Sequence, residues 1–217
     1  DAVVRFHASD MILHIHSDAA YVVLPKARSR AGGYFYLSSK PDKKTTSIPL
    51  NGAIHNKCST IRNVMGSAAE AEVGGLYVKC QRGAEFRVAL QEMGHPQPPT
   101  IVITDNSTAE GIVNNRVKQR RTCAMDMQFY WVRDRVKQGH YLVMWKPGDK
   151  NLADYSTKHF PPSHHKKGRG TYLVKEKSGA VLTCTWVPDP KESARVCWDT
   201  RVQTLWAHDP MTHDQVR

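Results

Sequence analysis

The stretch "HIHSDAAYVV", His14 to Val23, decides how this chain is read. Met11 to Ser17 has the apolar content of a β-strand, and it runs into Asp18, a residue type that strands disfavour. Taken alone, Asp18 is a strand terminator, the ordinary role of a single aspartate in that place.

Working outward, a loop with Pro25 and several basic residues leads to "GGYFYLSS", whose aromatic content makes it a second strand. "NGAIHNKC" opens on the turn signal Asn51-Gly52 and is a third strand in a meander. From Ser67 to Met93 the pattern turns helical. Val73, Leu76, Tyr77 and Cys80 fall at i, i+3, i+4 and i+7. Gly83 weakens such a helix by about 1 kcal/mol and marks a place for a kink, and Gly94 with the prolines of "HPQPP" stops it. "TIVITDN" is a fourth strand that again ends on an aspartate, Asp105. Ser107 and Glu110 have the spacing of a capping box for the helix that follows. A further helix covers about Ala124 to Gln138 and ends at Gly139. "HYLVMW" is a fifth strand, "KPGDKN" a turn, and "LADYSTKHF" begins a short helix carrying Asp154. The order is β-β-β-α-β-α-α-β-α. "PPSHHKKGRG" reads as a basic linker, so residues 1–160 are expected to form one domain and 161–217 a linker and tail. "TYLVKE" and "AVLTCTW" suit a hairpin about Lys177-Ser178-Gly179.

Composition narrows the function. No run of 18 apolar residues and no signal-peptide pattern occurs, so the chain reads as soluble and unexported, and "DAVVRFHASD" looks like a cut through a longer protein. The 217 residues include 5 cysteines, an odd number without a CxxC pair, which argues against a disulfide framework. Cys184, Cys197, His208 and His213 are a poor zinc set because the two cysteines lack the tight knuckle of such sites. The formal charge is +11, and Arg116 to Lys175 holds 14 Lys and Arg against 4 Asp and Glu. A charge so clustered points to a polyanion, since each phosphate contacted releases condensed counterions.

Asp18 and Asp105 each close a strand, Glu70 and Glu72 sit on the first long helix, and Asp154 starts the last. Neighbouring strand ends lie about 5 Å apart, so Asp18 and Asp105 are placed to face one another. Carboxylates gathered this closely repel unless a cation neutralises them. Magnesium suits them, because it takes oxygen ligands and shares them with substrate phosphate. Two such ions activate water and stabilise a leaving oxygen in phosphodiester cleavage. At 100° per residue, Glu70 and Glu72 point about 200° apart, and periodicity does not choose between them.

The motifs "HASDMILHIHSDAAYV", "KARSRAGGYFYL", "SAAEAEVGGLY", "TDNSTA" and "NLADYSTKHF" resemble, in order and spacing, the ribonuclease H domain of copia-type LTR retrotransposon polyproteins. The likeness runs from about residue 5 to about Leu173. It implies an α/β, ribonuclease H-like fold, a five-stranded mixed sheet flanked by helices, with a basic C-terminal extension. It also implies an enzyme that hydrolyses the RNA strand of RNA–DNA hybrids with two Mg2+ ions, for which Mn2+ can substitute. Asp18 would bridge both ions, Asp154 of "LAD" would complete the site of the nucleophilic water, and Glu72 and Asp105 would hold the second ion. The catalytic Glu of that family precedes a hydrophobic or aromatic residue and a helical continuation, which favours Glu72. Asn106 and Ser107 are helix caps by residue type, with RNA-backbone contact as the functional alternative. Arg120, Arg121 and Lys158 join them as expected nucleic-acid contacts. The implied setting is a reverse transcriptase polyprotein, with the polymerase upstream and no membrane partner, in the cytoplasm within a virus-like particle.

The chain departs from the family in two places. The "KPGDKN" loop lacks the histidine of cellular ribonucleases H, and Cys123-Ala124 stands where many relatives have Lys-His. His14 and His16 share strand parity with Asp18, but imidazole suits zinc better than magnesium, so they are read as satisfied buried histidines. A catalytically inactive nucleic-acid-binding remnant or connector domain is the alternative. A transposase or integrase on the same fold would carry its Glu last, whereas here the last acid is Asp154.

Overall fold

The computed structural model describes residues 2–41, 48–116, 126–175, 196–199 and 204–207. A five-stranded mixed sheet organises them, in the order β4-β3-β2-β5-β6. Its strands are β2 (Ile12–Leu24), β3 (Arg28–Ser38), β4 (Ala53–Thr60), β5 (Thr100–Thr104) and β6 (Tyr141–Trp145). A short pair outside the sheet joins β1 (Ala2–Val3) to β7 (Val174–Lys175), and β8 (Val196–Asp199) pairs with β9 (Thr204–Ala207). The β2, β3 and β4 strands are antiparallel, while β5 and β6 lie parallel to β2.

The first strand does not end on Asp18. It continues to Leu24, because β3 pairs with it from Ile12–Ser38 through Asp18–Gly32 and on to a turn at Leu24–Arg28. Only the parallel side stops early: β5 pairs with β2 no further than His16–Ile103. Asp18 therefore lies inside a ladder on one edge and just past the end of a strand on the other. Ladder hydrogen bonds along β3 override the poor strand propensity of a single aspartate.

Helix α1 (Ala68–Glu92) packs on one face of the sheet. Ser67 caps it, its side chain accepting from the Glu70 N–H at 3.2 Å, and the Glu70 carboxylate accepts from the Gly66 N–H at 2.7 Å. The stripe Val73, Leu76, Cys80 and Leu90 is buried against Leu13, Ile15, Phe35 and Val102. Fully burying one such side chain contributes about 1.5–3 kcal/mol. No break occurs at Gly83. A Cβ there would stand 2.6 Å from Ile15 Cδ1, so the glycine is the point of close helix–sheet approach rather than a kink. Arg87 fastens the far end of α1, donating to the Pro98 carbonyl at 2.6 Å and Thr100 Oγ1 at 2.8 Å.

Helices α2 (Ser107–Val113) and α3 (Asp126–Lys137) follow, α3 lying beside α1, where Tyr77 meets Trp131 edge-on. The opposite face of the sheet, carrying His14, His16, Tyr34 and Tyr36, is met by α4 (Asp154–Thr157) and its lead-in, and by α5 (Pro162–Tyr172). The expected linker "PPSHHKKGRG" is thus a helix. Pro162 sits at its first position, where a missing N–H costs nothing, and Tyr172 anchors it against Tyr34 and the Leu152 carbonyl. Val174–Lys175 pairs with the N-terminal strand, and the second strand of the expected hairpin lies outside the described residues. Cys184, Cys197, His208 and His213, a poor zinc set by their spacing, also have no described side chains. Among the described residues no helix is long and apolar enough to cross a membrane.

Candidate active site

Three acidic side chains from three elements converge where β5 ends. Asp18 comes from the middle of β2, Glu72 from the first turns of α1 and Asp105 from the residue after β5. One ligand atom from each lies within 4.8 Å of the others. Asp18 and Glu72 are only 1% and 5% exposed.

Two of the carboxylates are held by hydrogen bonds, and the third residue is positioned through its backbone. Thr157 of α4 donates a hydrogen bond to Asp18 Oδ2. Glu72 Oε1 accepts from the Ala19 N–H at 3.2 Å, so α1 reaches the strand next to Asp18. The Asp105 carbonyl accepts from Trp145 Nε1 at 2.9 Å, tying it to β6. Glu70, by contrast, is spent on capping α1, and the two glutamates diverge as helical geometry requires.

Asp154 stands at the edge of this group and outside the three-residue convergence. Its Oδ1 accepts from Lys158 Nζ, four residues on. Its helix is set against the sheet by Asn151, buried, which donates to the Ser17 carbonyl at 2.9 Å. His16 fixes the same loop by accepting from the Leu152 N–H at 3.0 Å. The structure thus brings Asp18, Glu72 and Asp105 together, with Asp154 nearby and paired to a lysine.

The electrostatics match that crowding. Burial, then the charges of Asp105 and Asp154, push the Asp18 carboxyl up to about 6, against the Thr157 hydrogen bond and Lys158. Burial, then Asp18 and Asp105, push Glu72 up to about 9. Its Oε2 is buried without a hydrogen-bond partner. A buried acceptor left unmade costs about 1–3 kcal/mol, and a cation among these oxygens removes that cost. The donor set, oxygen only and anionic, fits a hard divalent cation.

His16 is satisfied as expected, but His14 is not: among the described residues neither of its ring nitrogens makes a hydrogen bond of good geometry, and the ring stacks on Tyr36 at a centroid distance of 5.4 Å. Burial holds both imidazoles neutral, pulling His14 down to about 4 and His16 to about 3. Neither joins the carboxylates.

Asn106, not Ser107, caps α2, its Oδ1 accepting from the Ala109 N–H at 3.0 Å, while Ser107 is the first helical residue. Lys158 stands beside the acids. Arg120, Arg121 and the Cys123-Ala124 position lie outside the described residues. Sequence reasoning missed Thr157, Asn151 and Gly32, which position the acids. The signals were present: a Gly-Gly inside a strand marks a close backbone approach, and an Asn just before "LAD" is a natural loop anchor.

No family profile matches the chain. In sequence it is 26% identical over 156 residues to the retrovirus-related Pol polyprotein from transposon TNT 1-94 of Nicotiana tabacum, a stretch that is 72% of this chain and 11% of that polyprotein's length. In structure it overlaps LC11-RNase H1, isolated from compost by a metagenomic approach, with a TM-score of 0.48 and 14% identity, over 67% of this chain and 91% of that one. It overlaps the N-terminal RNase H domain of a Mycobacterium tuberculosis protein with a TM-score of 0.45 and 15% identity, over 67% and 89%. The chain is therefore similar in sequence to one segment of a retrotransposon polyprotein, the same kind of protein that its five motifs resemble.

Proposed function

We propose that this chain is a magnesium-dependent endonuclease that hydrolyses the RNA strand of RNA–DNA hybrids, as one segment of a retroelement polyprotein whose reverse transcriptase lies upstream. The observation that supports it is the convergence of Asp18, Glu72 and Asp105, with Glu72 Oε2 left without a partner, at the end of the parallel strands of this sheet.

Asp18, Glu72, Asp105 and Asp154 are the residues that would hold magnesium, or manganese in its place. When bound, the metal would supply acidity to a water and positive charge to the leaving oxygen. Hydrolysis would replace the bond from phosphorus to the 3′-oxygen by one to the water oxygen, the proton given up by the water balancing the one taken up by the departing 3′-oxygen. The protein's share is orientation. Thr157 points Asp18, Ala19 points Glu72, and Asn151 with His16 sets the loop that carries Asp154.

Exposed Lys166 and Lys167 on α5, together with Lys150, lie on elements adjoining α4 and offer charge to phosphates. The 2′-hydroxyl in the wide minor groove lets such a surface tell RNA from DNA. The same reading carries a cytoplasmic location, within a virus-like particle, as the resemblance implies.

The test is cleavage of an end-labelled RNA–DNA hybrid by the full chain. Cleavage of the RNA strand with Mg2+, absent with EDTA and lost in Asp18→Asn, supports the reading. Binding without cleavage by a folded protein at any Mg2+ or Mn2+ concentration replaces it with the inactive-remnant reading.

A further inference from the structure

Asp154 is the one expected ligand that the acid cluster does not include, and Lys158 is what holds it. The ammonium pairs with Asp154 Oδ1 at helical i,i+4 spacing, and its field also reaches Asp18, Asp105 and Glu72. Lys158 is not itself helical: it is the C-cap of a four-residue helix, with φ −113° and ψ 155°. Its side chain is 46% exposed against 18% for Asp154, so the arm is free to turn outward while the carboxylate stays in place.

We infer that Lys158 is a resident counter-ion of the acidic pocket that releases Asp154 when a divalent cation enters and then binds a non-bridging oxygen of the scissile phosphate. The inference rests on the nuclease reading and adds to it a residue with two successive partners. An ammonium and a dication compete for the same carboxylate oxygens and repel each other. Once displaced, the lysine has three free donors and a full charge beside the carboxylates, where a phosphodiester must lie to be cleaved. An i,i+4 pair serving stability alone would do neither.

The experiment measures Mn2+ affinity of the full chain without nucleic acid, by electron paramagnetic resonance of free Mn2+, for wild type, Lys158→Met, Lys158→Arg and Asp18→Asn. Removing one unit charge about 6 Å from a dication should tighten binding on the order of tenfold even at water-like dielectric. Lys158→Met is expected to show that gain, together with a fall in kcat of about tenfold or more at saturating Mg2+ and hybrid, while Lys158→Arg stays near wild type in metal affinity. Unchanged or weaker Mn2+ binding in a folded Lys158→Met overturns the counter-ion role, and unchanged kcat overturns the phosphate role. Those failures leave cleavage by the wild type intact. If instead wild type and Lys158→Met both bind no Mn2+ and cut no hybrid, the nuclease reading falls and this inference with it.

Discussion

Asp18 faces Gly32 across the β2–β3 ladder, and that glycine is what lets α4 rest on the strand beside the carboxylate. A Cβ on Gly32 would stand 2.9 Å from the Ala153 carbonyl oxygen and 2.5 Å from Thr157 Cγ2, contacts that side chains do not tolerate. The buried acid and the helix that supplies Asp154 and Thr157 are thus brought together by one missing methyl group.

Gly32→Ala should therefore push α4 off the sheet. Overpacking of this kind costs about 1–3 kcal/mol, and a displacement near 1 Å at a catalytic group costs roughly a hundredfold in rate. Urea denaturation and kcat on a hybrid are the two measurements. A variant as active as wild type would show that α4 is not held by this contact.

In metal-free buffer at pH 7, Asp18→Asn should be more stable than wild type. The wild-type carboxylate is ionised there although burial and its acidic neighbours raise it to about 6. Removing that charge relieves roughly 1–3 kcal/mol. Magnesium should then stabilise wild type and leave the variant unmoved. Denaturant midpoints in EDTA and in Mg2+ decide it; destabilisation in EDTA would contradict a crowded, uncompensated pocket.

Glu72 sets an alkaline limit. Its folded value, about 9, lies above the ordinary carboxyl range, so the folded state holds a proton that the unfolded chain has lost. Stability from this group is full below the unfolded value and drains as pH rises toward 9. Between pH 6.5 and 8 that loss is on the order of 2 kcal/mol in metal-free protein. Above pH 8 Lys79, lowered to about 8 chiefly by burial, works in the opposite direction. Glu72→Gln, or added Mg2+, should flatten the profile across the window from 6.5 to 8, as read by denaturant midpoints.

The histidines set an acid limit by the opposite sign. His14 and His16, held down to about 4 and about 3, stay neutral when folded while the unfolded chain takes up protons below about 6.5. Their contribution is present above that value and is lost as pH falls through it. With Mg2+ bound, wild type should lose stability from pH 6.5 to 5. His14→Phe should lose less of it and gain about 1 kcal/mol at pH 7, because it removes two buried nitrogens that lack a hydrogen bond of good geometry. A steeper acid loss in the variant would count against this account.

The elements that were legible in the sequence carry their own signals. Helix α1 begins at a Ser67 cap, shows a 3.6-residue stripe and stops at Gly94, and the structure places it at Ala68–Glu92. The run "TIVIT" is strand β5, buried along its whole length. The nine-element order of the main body was readable for the same reason: each element declares itself within a dozen residues. The four acids and their order were also readable, because residue types and spacing survive without coordinates.

Asp18 was misread as a strand end because local propensity knows nothing of the β3 partner that carries the ladder past it. Gly83 looked like a kink because its reason, the approach of Ile15, comes from 68 positions away. "PPSHHKKGRG" looked like a linker because its helix is held by Tyr172 against Tyr34 and Leu152, not by an apolar stripe of its own. The sequence alone determined which chemistry was present: oxygen ligands on strands and helices in a fixed order, within a basic chain. Tertiary structure decided which oxygens meet, that Glu72 and not Glu70 joins Asp18 and Asp105, and that Asp154 stands beside them paired to Lys158. Those outcomes depend on contacts between residues far apart in the chain, and such contacts exist only once the sheet has closed.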